Sequence, residues 1–242
     1  MKDLQKEYDA WHQNVHGSEP ATQVHLCQWH EDALALAPPL QNASVLEVGC
    51  GPGDFAMHLS SKAKAVTAVD FSTTAIEIAR RKFSGPGTQL EFAVADAQRL
   101  PFSDEYFDIV FSCECLEHLP DPQCALIEMH RVLKPGGTLV LTTENYSNAM
   151  VIYWLMAWIR RQPLNTGSGT QPIEQFFLYW RVKRMMQRAG LKVLKMTGAH
   201  HVFLAVPGCH PHLFVKDRFQ SRILARIFRP FARHFSFKAV KT

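Results

Sequence analysis

The chain has 242 residues, 47% apolar and 20% charged, which excludes wholesale disorder. A globule of this length buries roughly 70% of its extended-chain surface, so neither disulfides nor a structural metal are needed to hold a core. Lys plus Arg number 26 against 22 Asp plus Glu, a net +4 that by itself does not argue for a nucleic-acid partner. Six cysteines with no C-x-x-C pair exclude a disulfide framework and fit a reducing cytoplasm. The first residues carry no apolar signal run. The longest strongly apolar stretch, Ala149 to Ile159, is about half the length a bilayer span requires. A soluble or surface-bound protein is expected.

Residues 1–43 read as a helical cap. Leu4, Tyr8 and Trp11 recur at helical spacing, and a second helix is expected from about 22 to 37, ending before Pro38-Pro39. The cap serves either as a lid or as packing. From Ser44 onward short β-branched runs alternate with longer mixed segments. Strands are expected at 45–48, 65–69, 90–95, 107–111 and 138–142, with helices near 54–62, 73–83 and 122–133. That alternation means a parallel sheet with helices on both faces, an α/β doubly wound fold. Pro135-Gly136-Gly137 turns the chain into the fifth strand. Residues 146–174 interrupt the rhythm as an insert, followed by a helix near 175–189 that Gly190 stops. Leu191–Met196 and His201–Val206 then read as a hairpin, so the sheet is expected to end in an antiparallel strand. The sheet domain is expected to span 44–206.

Residues 207–242 form a different kind of segment. Within 208–242 eight basic residues face one acid, Asp217, giving +7 there and −3 for everything before it. Arg218, Arg222, Arg226, Arg229 and Arg233 recur at steps of three and four, with Phe219, Ile223, Leu224, Ile227 and Phe228 filling the other sides. This reads as a basic amphipathic helix over 216–233, suited to an anionic membrane surface or to packing on the domain. No aromatic RNA-reading motif or zinc finger is present, which weighs against nucleic acid.

The sharpest local signal is Glu47-Val48-Gly49-Cys50-Gly51-Pro52-Gly53, between a strand and a helix. Glycines let a backbone turn tightly and approach a ligand closely. The spacing is G-x-G-x-G rather than the dinucleotide G-x-G-x-x-G. Asp54 at the helix start and Glu47 at the strand end would repel a phosphate, so a cationic or neutral cofactor is expected. Asp70 ends the second strand, where an acid accepts hydrogen bonds from ribose hydroxyls. Asp96 ends the third strand, placed to accept from an adenine amino group while the backbone at Ala97 meets the ring.

Taken together, these features resemble the class I S-adenosylmethionine-dependent methyltransferases, in particular the small-molecule enzymes of the ubiquinone and menaquinone type. The matching residues are the glycine loop 47–53, Asp70, Asp96, Leu100-Pro101-Phe102-Ser103-Asp104 before Phe107-Asp108-Ile109-Val110, and Lys134-Pro135-Gly136-Gly137. The resemblance implies a seven-stranded sheet of order 3-2-1-4-5-7-6 with strand 7 antiparallel. It implies S-adenosylmethionine as cofactor, held by Glu47, Gly49, Cys50, Gly51, Gly53, Asp70, Phe71, Asp96, Ala97 and Ser112.

The fourth strand runs into Glu114-Cys115-Leu116-Glu117-His118. On a helical turn Glu114, Glu117 and His118 share one face and can bind a divalent cation. The resemblance extends to enzymes that hold magnesium or a related ion with Glu-x-x-Glu-His plus a later histidine. Here Glu174 stands in that later neighbourhood. A metal site, a metal-free site with His118 as base, and a purely structural turn all stay open. Removing a hydroxyl proton suits an imidazole, so His118 is the first catalytic candidate, followed by His200 and His201 in the expected hairpin. Tyr146, Tyr153, Trp154, Trp158, Phe176, Phe177, Tyr179 and Trp180 are expected to wall an apolar, aromatic or lipid-like acceptor, or else to build an ordinary core. The expected activity is methyl transfer to a hydroxyl of such an acceptor. The alternatives are an RNA or sugar 2′-hydroxyl, or a carbon or nitrogen of a small metabolite.

Overall fold

The computed structural model describes residues 2–17, 24–83, 89–144, 171–175, 177–205, 212–216 and 232–242, with the backbone alone described for 200–205, 212–216 and Arg233. Its elements in chain order are α1 (Lys2–His16), α2 (Gln28–Leu34), β1 (Ser44–Val48), α3 (Asp54–Ser60), β2 (Ala65–Asp70), α4 (Thr73–Phe83), β3 (Leu90–Val94) and β4 (Phe107–Cys113). A 3-10 turn (Leu116–His118) follows, then α5 (Pro122–Val132), β5 (Leu133–Glu144), α6 (Tyr179–Arg188), β6 (Leu191–Ala205), β7 (His212–Lys216) and β8 (Ala232–Lys241).

The strands form one sheet in the order β3-β2-β1-β4-β5-β8-β6-β7. The five strands β3 to β5 are parallel, and β8 runs antiparallel to both of its neighbours. This is the 3-2-1-4-5-7-6 order with β8 in the seventh place, and β7 is an additional edge strand. The five parallel strands read as near-continuous apolar runs because helices cover both of their faces. On one face Leu46, Val48, Leu139 and Leu141 pack with Leu126 and Met129 of α5 and Val182 and Met186 of α6. On the other, Val45, Ile109, Phe111 and Val140 pack with Ala33 of α2, Phe55 and Leu59 of α3, and Ile76 and Ala79 of α4.

Three expectations change. The hairpin of 191–196 with 201–206 is instead a single strand, β6, bent by an irregularity between Val193 and Lys195. Its hairpin partner is β7, which pairs with 201–205. Residues 232–241, expected to belong to a basic extension outside the sheet domain, are a central strand of the sheet: Thr138–Glu144 pairs with Val240–His234. Phe235, Phe237 and Ala239 enter the α5–α6 core. The physical reason is alternation: one side of β8 carries these apolar residues while His234 and Ser236 are buried on the other. Residues 217–231, most of the expected amphipathic helix, lie outside the described residues.

The helix starts are well specified. Asp121 caps α5, its Oδ1 accepting from the N–H groups of Gln123 and Cys124, with Pro122 at the first helical position. Ser72 Oγ accepts from the Ala75 N–H at the start of α4. Asp9 of α1 adds a second anchor there, accepting from Ser72 Oγ at 2.6 Å and from the Thr74 N–H at 3.0 Å. This bond pair ties the N-terminal helix to the C-terminal edge of the sheet, where ligands bind in open α/β folds.

Candidate active site

A cavity of about 680 Å³ opens at the C-terminal ends of β1, β2, β3 and β4. Its floor is the glycine loop. Gly49, Gly51 and Gly53 all have positive φ (79°, 51° and 85°), a conformation that side chains with a Cβ resist. Gly49 and Cys50 donate their N–H groups to Val69 O, and Gly51 donates to Asp70 Oδ2 at 2.8 Å. The glycines differ in what they serve. A Cβ on Gly49 would lie 2.5 Å from Cys115 Sγ, and one on Gly53 2.8 Å from the Phe92 ring. Those two glycines make room for protein. Above Gly51 the nearest atom is His12 Cε1 at 3.8 Å, so this glycine faces the open cavity.

Asp70 holds the loop with one oxygen and takes the Ser72 N–H at 2.9 Å with the other. Asp96 lines the far wall with Ala95, Ala97 and Gln98, its Oδ1 accepting from the backbone and side chain of Gln98. Phe71 lines the cavity and meets Tyr8 edge-on at 6.3 Å. Helix α1 supplies the roof through Leu4, Tyr8, Trp11, His12 and His16. The Tyr8 hydroxyl donates to His118 O at 2.8 Å, and Gln5 Nε2 donates to Phe71 O at 2.9 Å. The N-terminal cap is thus a cavity wall bonded on two sides.

The electrostatics of this floor favour a cation. Glu47 is 2% exposed, lines the cavity, and its Oε2 has no hydrogen-bond partner. Burial, then repulsion from Asp70 and Asp54, holds its carboxyl well above the usual glutamate range. Asp54 is compensated, because Lys82 Nζ lies 2.9 Å from its Oδ2. An orphaned buried carboxyl and a backbone loop open at Gly51 fit the cationic head of S-adenosylmethionine.

At the end of β4 the chain bends sharply. Glu114 takes a left-handed φ of 48°, its N–H held by Thr142 O and Thr142 Oγ1. Glu114, Cys113, Cys115 and His118 line the cavity. His118 Nδ1 lies 2.8 Å from Ile173 O, a contact only a protonated Nδ1 can make with a carbonyl. The lone pair is therefore on Nε2. Glu117 is 1% exposed, and its Oε2 accepts from Thr143 Oγ1 at 2.8 Å. Burial, then Glu114, pushes its carboxyl well up.

Some expected site residues fall elsewhere. Ser112 is fully buried and does not line the cavity, because alternation along β4 turns its neighbours Phe111 and Cys113 to the other face. Gly53 lies behind the loop. Glu174 neither lines the cavity nor joins Glu114 in a ligand cluster. His200, expected in the turn of the hairpin, and His201, expected at a strand start, both sit within β6, and their side chains lie outside the described residues. Of the aromatic residues expected either to wall the acceptor or to build a core, none of the described ones lines the cavity. Phe177 is core, Tyr179 packs on Phe235 at 5.5 Å, and Trp180 is 47% exposed. Tyr146, Tyr153, Trp154, Trp158 and Phe176 lie outside the described residues.

Comparison with known proteins bears on the chemistry. A family model described as a methyltransferase domain matches residues 46–141. The ubiquinone biosynthesis O-methyltransferase of Thiobacillus denitrificans is 30% identical over 163 residues, covering 66% of this chain and 69% of that protein. The chain belongs to the class I S-adenosylmethionine-dependent methyltransferases. A ubiquinone/menaquinone biosynthesis C-methyltransferase of Desulfotalea psychrophila is 35% identical over 128 residues, 52% of this chain and 51% of its own. Among solved structures, an S-adenosylmethionine-dependent methyltransferase from Mesorhizobium loti superposes with a TM-score of 0.61 at 18% identity, covering 87% of this chain and 96% of that one.

The methyltransferase has an aromatic end to its cavity that its sequence did not reveal. Cys27, Trp29 and His30 from the start of α2, with Phe55 of α3, line the cavity on the Glu114 side. His30 stacks on Phe55 at 4.6 Å, and its Nδ1 accepts the Cys27 N–H at 3.1 Å. Trp29 stacks on His234 at 5.5 Å. The sequence signal was the string Cys27-Gln28-Trp29-His30, in a cap expected to serve either as a lid or as packing. Among the described residues no helix is long and apolar enough to cross a membrane.

His30 gives the methyltransferase a pH-sensitive joint. Burial pushes its pKa down from 6.5 to about 4. The folded state thus holds the ring neutral while the unfolded chain protonates it from 6.5 downward. The stability so gained is full above pH 6.5 and is lost as pH falls toward 4, about 3 kcal/mol over that window. A His30→Asn variant, measured by urea unfolding at pH 7 and 4.5, is expected to lose much less stability on acidification than the parent. An equal loss in both proteins would remove His30 from the account.

Proposed function

We propose that this methyltransferase methylates a hydroxyl of a small aromatic, quinone-like acceptor. The observation that carries the reading is His118: its Nδ1 is committed to Ile173 O, leaving the lone pair on Nε2 of a ring that lines the cavity, 4.0 Å from Glu117 Oε1. A phenol or catechol oxygen needs its proton removed, and an imidazole in a fixed tautomer suits that task. Relatives acting in ubiquinone biosynthesis, together with the Trp29–His30–Phe55 end of the cavity, support a flat aromatic acceptor.

In the same reading, Asp70 receives the ribose hydroxyls, Asp96 with Ala97 holds the adenine edge, and Glu47, Gly49, Cys50 and Gly51 face the charged amino-acid end. When bound, S-adenosylmethionine supplies a methyl group already activated by the sulfonium. The protein's part is to align the acceptor, take its proton at His118 Nε2, and exclude water with α1. Cytoplasmic location with peripheral contact to anionic membrane through residues 216–233 belongs to this reading as well. The exposed Trp180, Arg181, Lys183, Arg184 and Arg188 of α6 support it.

One experiment tests the reading in two arms. Calorimetry with S-adenosylmethionine is expected to show binding that Asp70→Ala weakens by about a hundredfold, the loss of two hydrogen bonds to a charged group. Methyl-labelled cofactor with an alkyl catechol is expected to give label in the organic phase, on oxygen. Unchanged affinity in folded Asp70→Ala would sink the ribose assignment. Label on ring carbon, or only in an aqueous RNA or sugar fraction, would sink the acceptor assignment.

A further inference from the structure

Helix α1 places over the glycine loop a histidine that the proposed reaction leaves without a role. His12 lines the cavity and is 7% exposed. Its ring is hemmed in on its own helix: Trp11 meets it edge-on at 4.8 Å between centroids, and His16 lies 5.7 Å away. The two ring nitrogens have different surroundings. Nδ1 is shielded from solvent and has no hydrogen-bond partner. Nε2 lies 4.0 Å from Asp70 Oδ1. A buried N–H without an acceptor is rarer in proteins than a lone pair without a donor, and a proton on Nε2 is drawn toward the Asp70 carboxylate. Burial lowers the ring's pKa, aided by His16 and against the opposing pull of Asp70 and Asp9, so the ring holds a single proton. His12 is therefore a neutral Nε2–H donor turned to Asp70.

Asp70 does not take that donor directly, because 4.0 Å exceeds a hydrogen bond. An oxygen about 2.8 Å from each atom closes the gap at an angle of about 90°, which suits a hydroxyl that donates to one and accepts from the other. The glycine loop supplies no competing donor. The N–H groups of Gly49 and Cys50 go to Val69 O, that of Gly51 to Asp70 Oδ2 and that of Gly53 to Cys50 O, while Pro52 has none. A sugar hydroxyl that gives its proton to Asp70 thus finds its own donor in the roof, not in the floor. We propose, resting on Asp70 as the ribose acceptor, that His12 is a cofactor-binding residue whose Nε2–H donates to the ribose hydroxyl that Asp70 accepts from.

The contact reads the sugar and holds the roof at once. A site built to hydrogen-bond a hydroxyl rejects the analogue that lacks it, because the buried partners are then left unpaired. Helix α1 also gains a bond that exists only through the cofactor. None of its residues enters either of the two apolar cores that flank the sheet. Side-chain bonds from Gln5, Tyr8 and Asp9 tie it to the strand ends instead. On a helix held in this way, one further hydrogen bond is a sizeable addition.

Binding is read without turnover, by calorimetry of the full chain with S-adenosylhomocysteine and its 2′-deoxy and 3′-deoxy forms. His12→Phe keeps a ring and removes the donor, and is expected to weaken S-adenosylhomocysteine about tenfold, the size of one hydrogen bond. His12→Gln, whose amide can donate from the place of Nε2, is expected to stay within threefold. With the deoxy form that lacks the bridged hydroxyl, His12→Phe and the parent should bind alike. A loss that persists with both deoxy forms would overturn the assignment by reducing His12 to packing, and so would parental affinity in folded His12→Phe. Unchanged affinity in folded Asp70→Ala removes the ribose reading and His12 with it, whereas a weakened Asp70→Ala beside an unchanged His12→Phe removes His12 alone. A second readout needs no Phe variant. Long-range ¹H–¹⁵N spectra of the parent, with His12 identified by the signal missing in His12→Gln, are expected to show the Nε2–H tautomer, its proton protected from exchange once S-adenosylhomocysteine is bound. An Nδ1–H tautomer would overturn the proposal.

Discussion

A chain ending at residue 231 is expected to lose cooperative folding. Strand β8 fills the slot between β5 and β6, so its removal strips hydrogen-bonding partners from both neighbours at once. It also removes Phe235 and Phe237, both fully buried against α5 and α6. Truncating one such phenylalanine to alanine typically costs about 3–5 kcal/mol, against a total stability of about 5–15 kcal/mol for a domain. Thermal unfolding by circular dichroism is the measurement. The truncated chain should show no sharp transition, whereas Phe237→Ala should remain folded with a lowered midpoint. A sharp transition in the truncated chain, with cofactor binding intact, would show that β8 is dispensable. Vesicle binding through 216–233 therefore has to be read on Arg218→Gln, Arg222→Gln, Arg226→Gln and Arg229→Gln combined, with loss of co-sedimentation expected, rather than on a truncation.

Replacing His118 by glutamine is expected to cut kcat for an alcohol or phenol acceptor by about 10²- to 10⁴-fold, the usual contribution of a positioned base. Cofactor affinity should change less than threefold. The Tyr8 hydroxyl bonds to the backbone carbonyl of residue 118, which the substitution leaves in place, and a glutamine amide can still donate to Ile173 O. Single-turnover methyl transfer separates the two effects, because chemistry falls while binding holds. A kcat within threefold of the parent would exclude His118 as the base and move the role to Glu114, the carboxylate in that wall. The split between kcat and affinity also distinguishes a base from a residue that merely supports the wall, whose loss would disturb both.

The floor and far wall of the cavity were legible because their determinants are local. A glycine loop and the acids at the ends of β2 and β3 are each set by a few adjacent residues, and the strand–helix alternation announces which ends they occupy. The pairing beside the cavity was not legible, for a topological reason. Glu144 and His234 are neighbours in space but lie ninety residues apart in the chain, and nothing in either segment names the other. The arginine stripe compounded this. Arg233 fits the helical spacing of Arg218 to Arg229 yet belongs to a strand, and the alternation of Phe235, Phe237 and Ala239 was the competing signal. Trp29 and His30 were hidden differently: a short helix start gives no hint that it faces a cavity rather than a core.

The position of β8 has a consequence during synthesis. Every other strand of the sheet precedes it in the chain, and the slot it fills lies inside the sheet rather than at the rim. A growing polypeptide that has reached β7 can have paired β3 through β5, but β5 and β6 still lack the ladder that joins them. Until residue 241 clears the ribosome, both strands present open hydrogen-bonding edges, and the apolar faces of α5 and α6 have no Phe235 or Phe237 to cover. The nascent methyltransferase is thus most exposed to mispairing at the moment when only its last strand is missing.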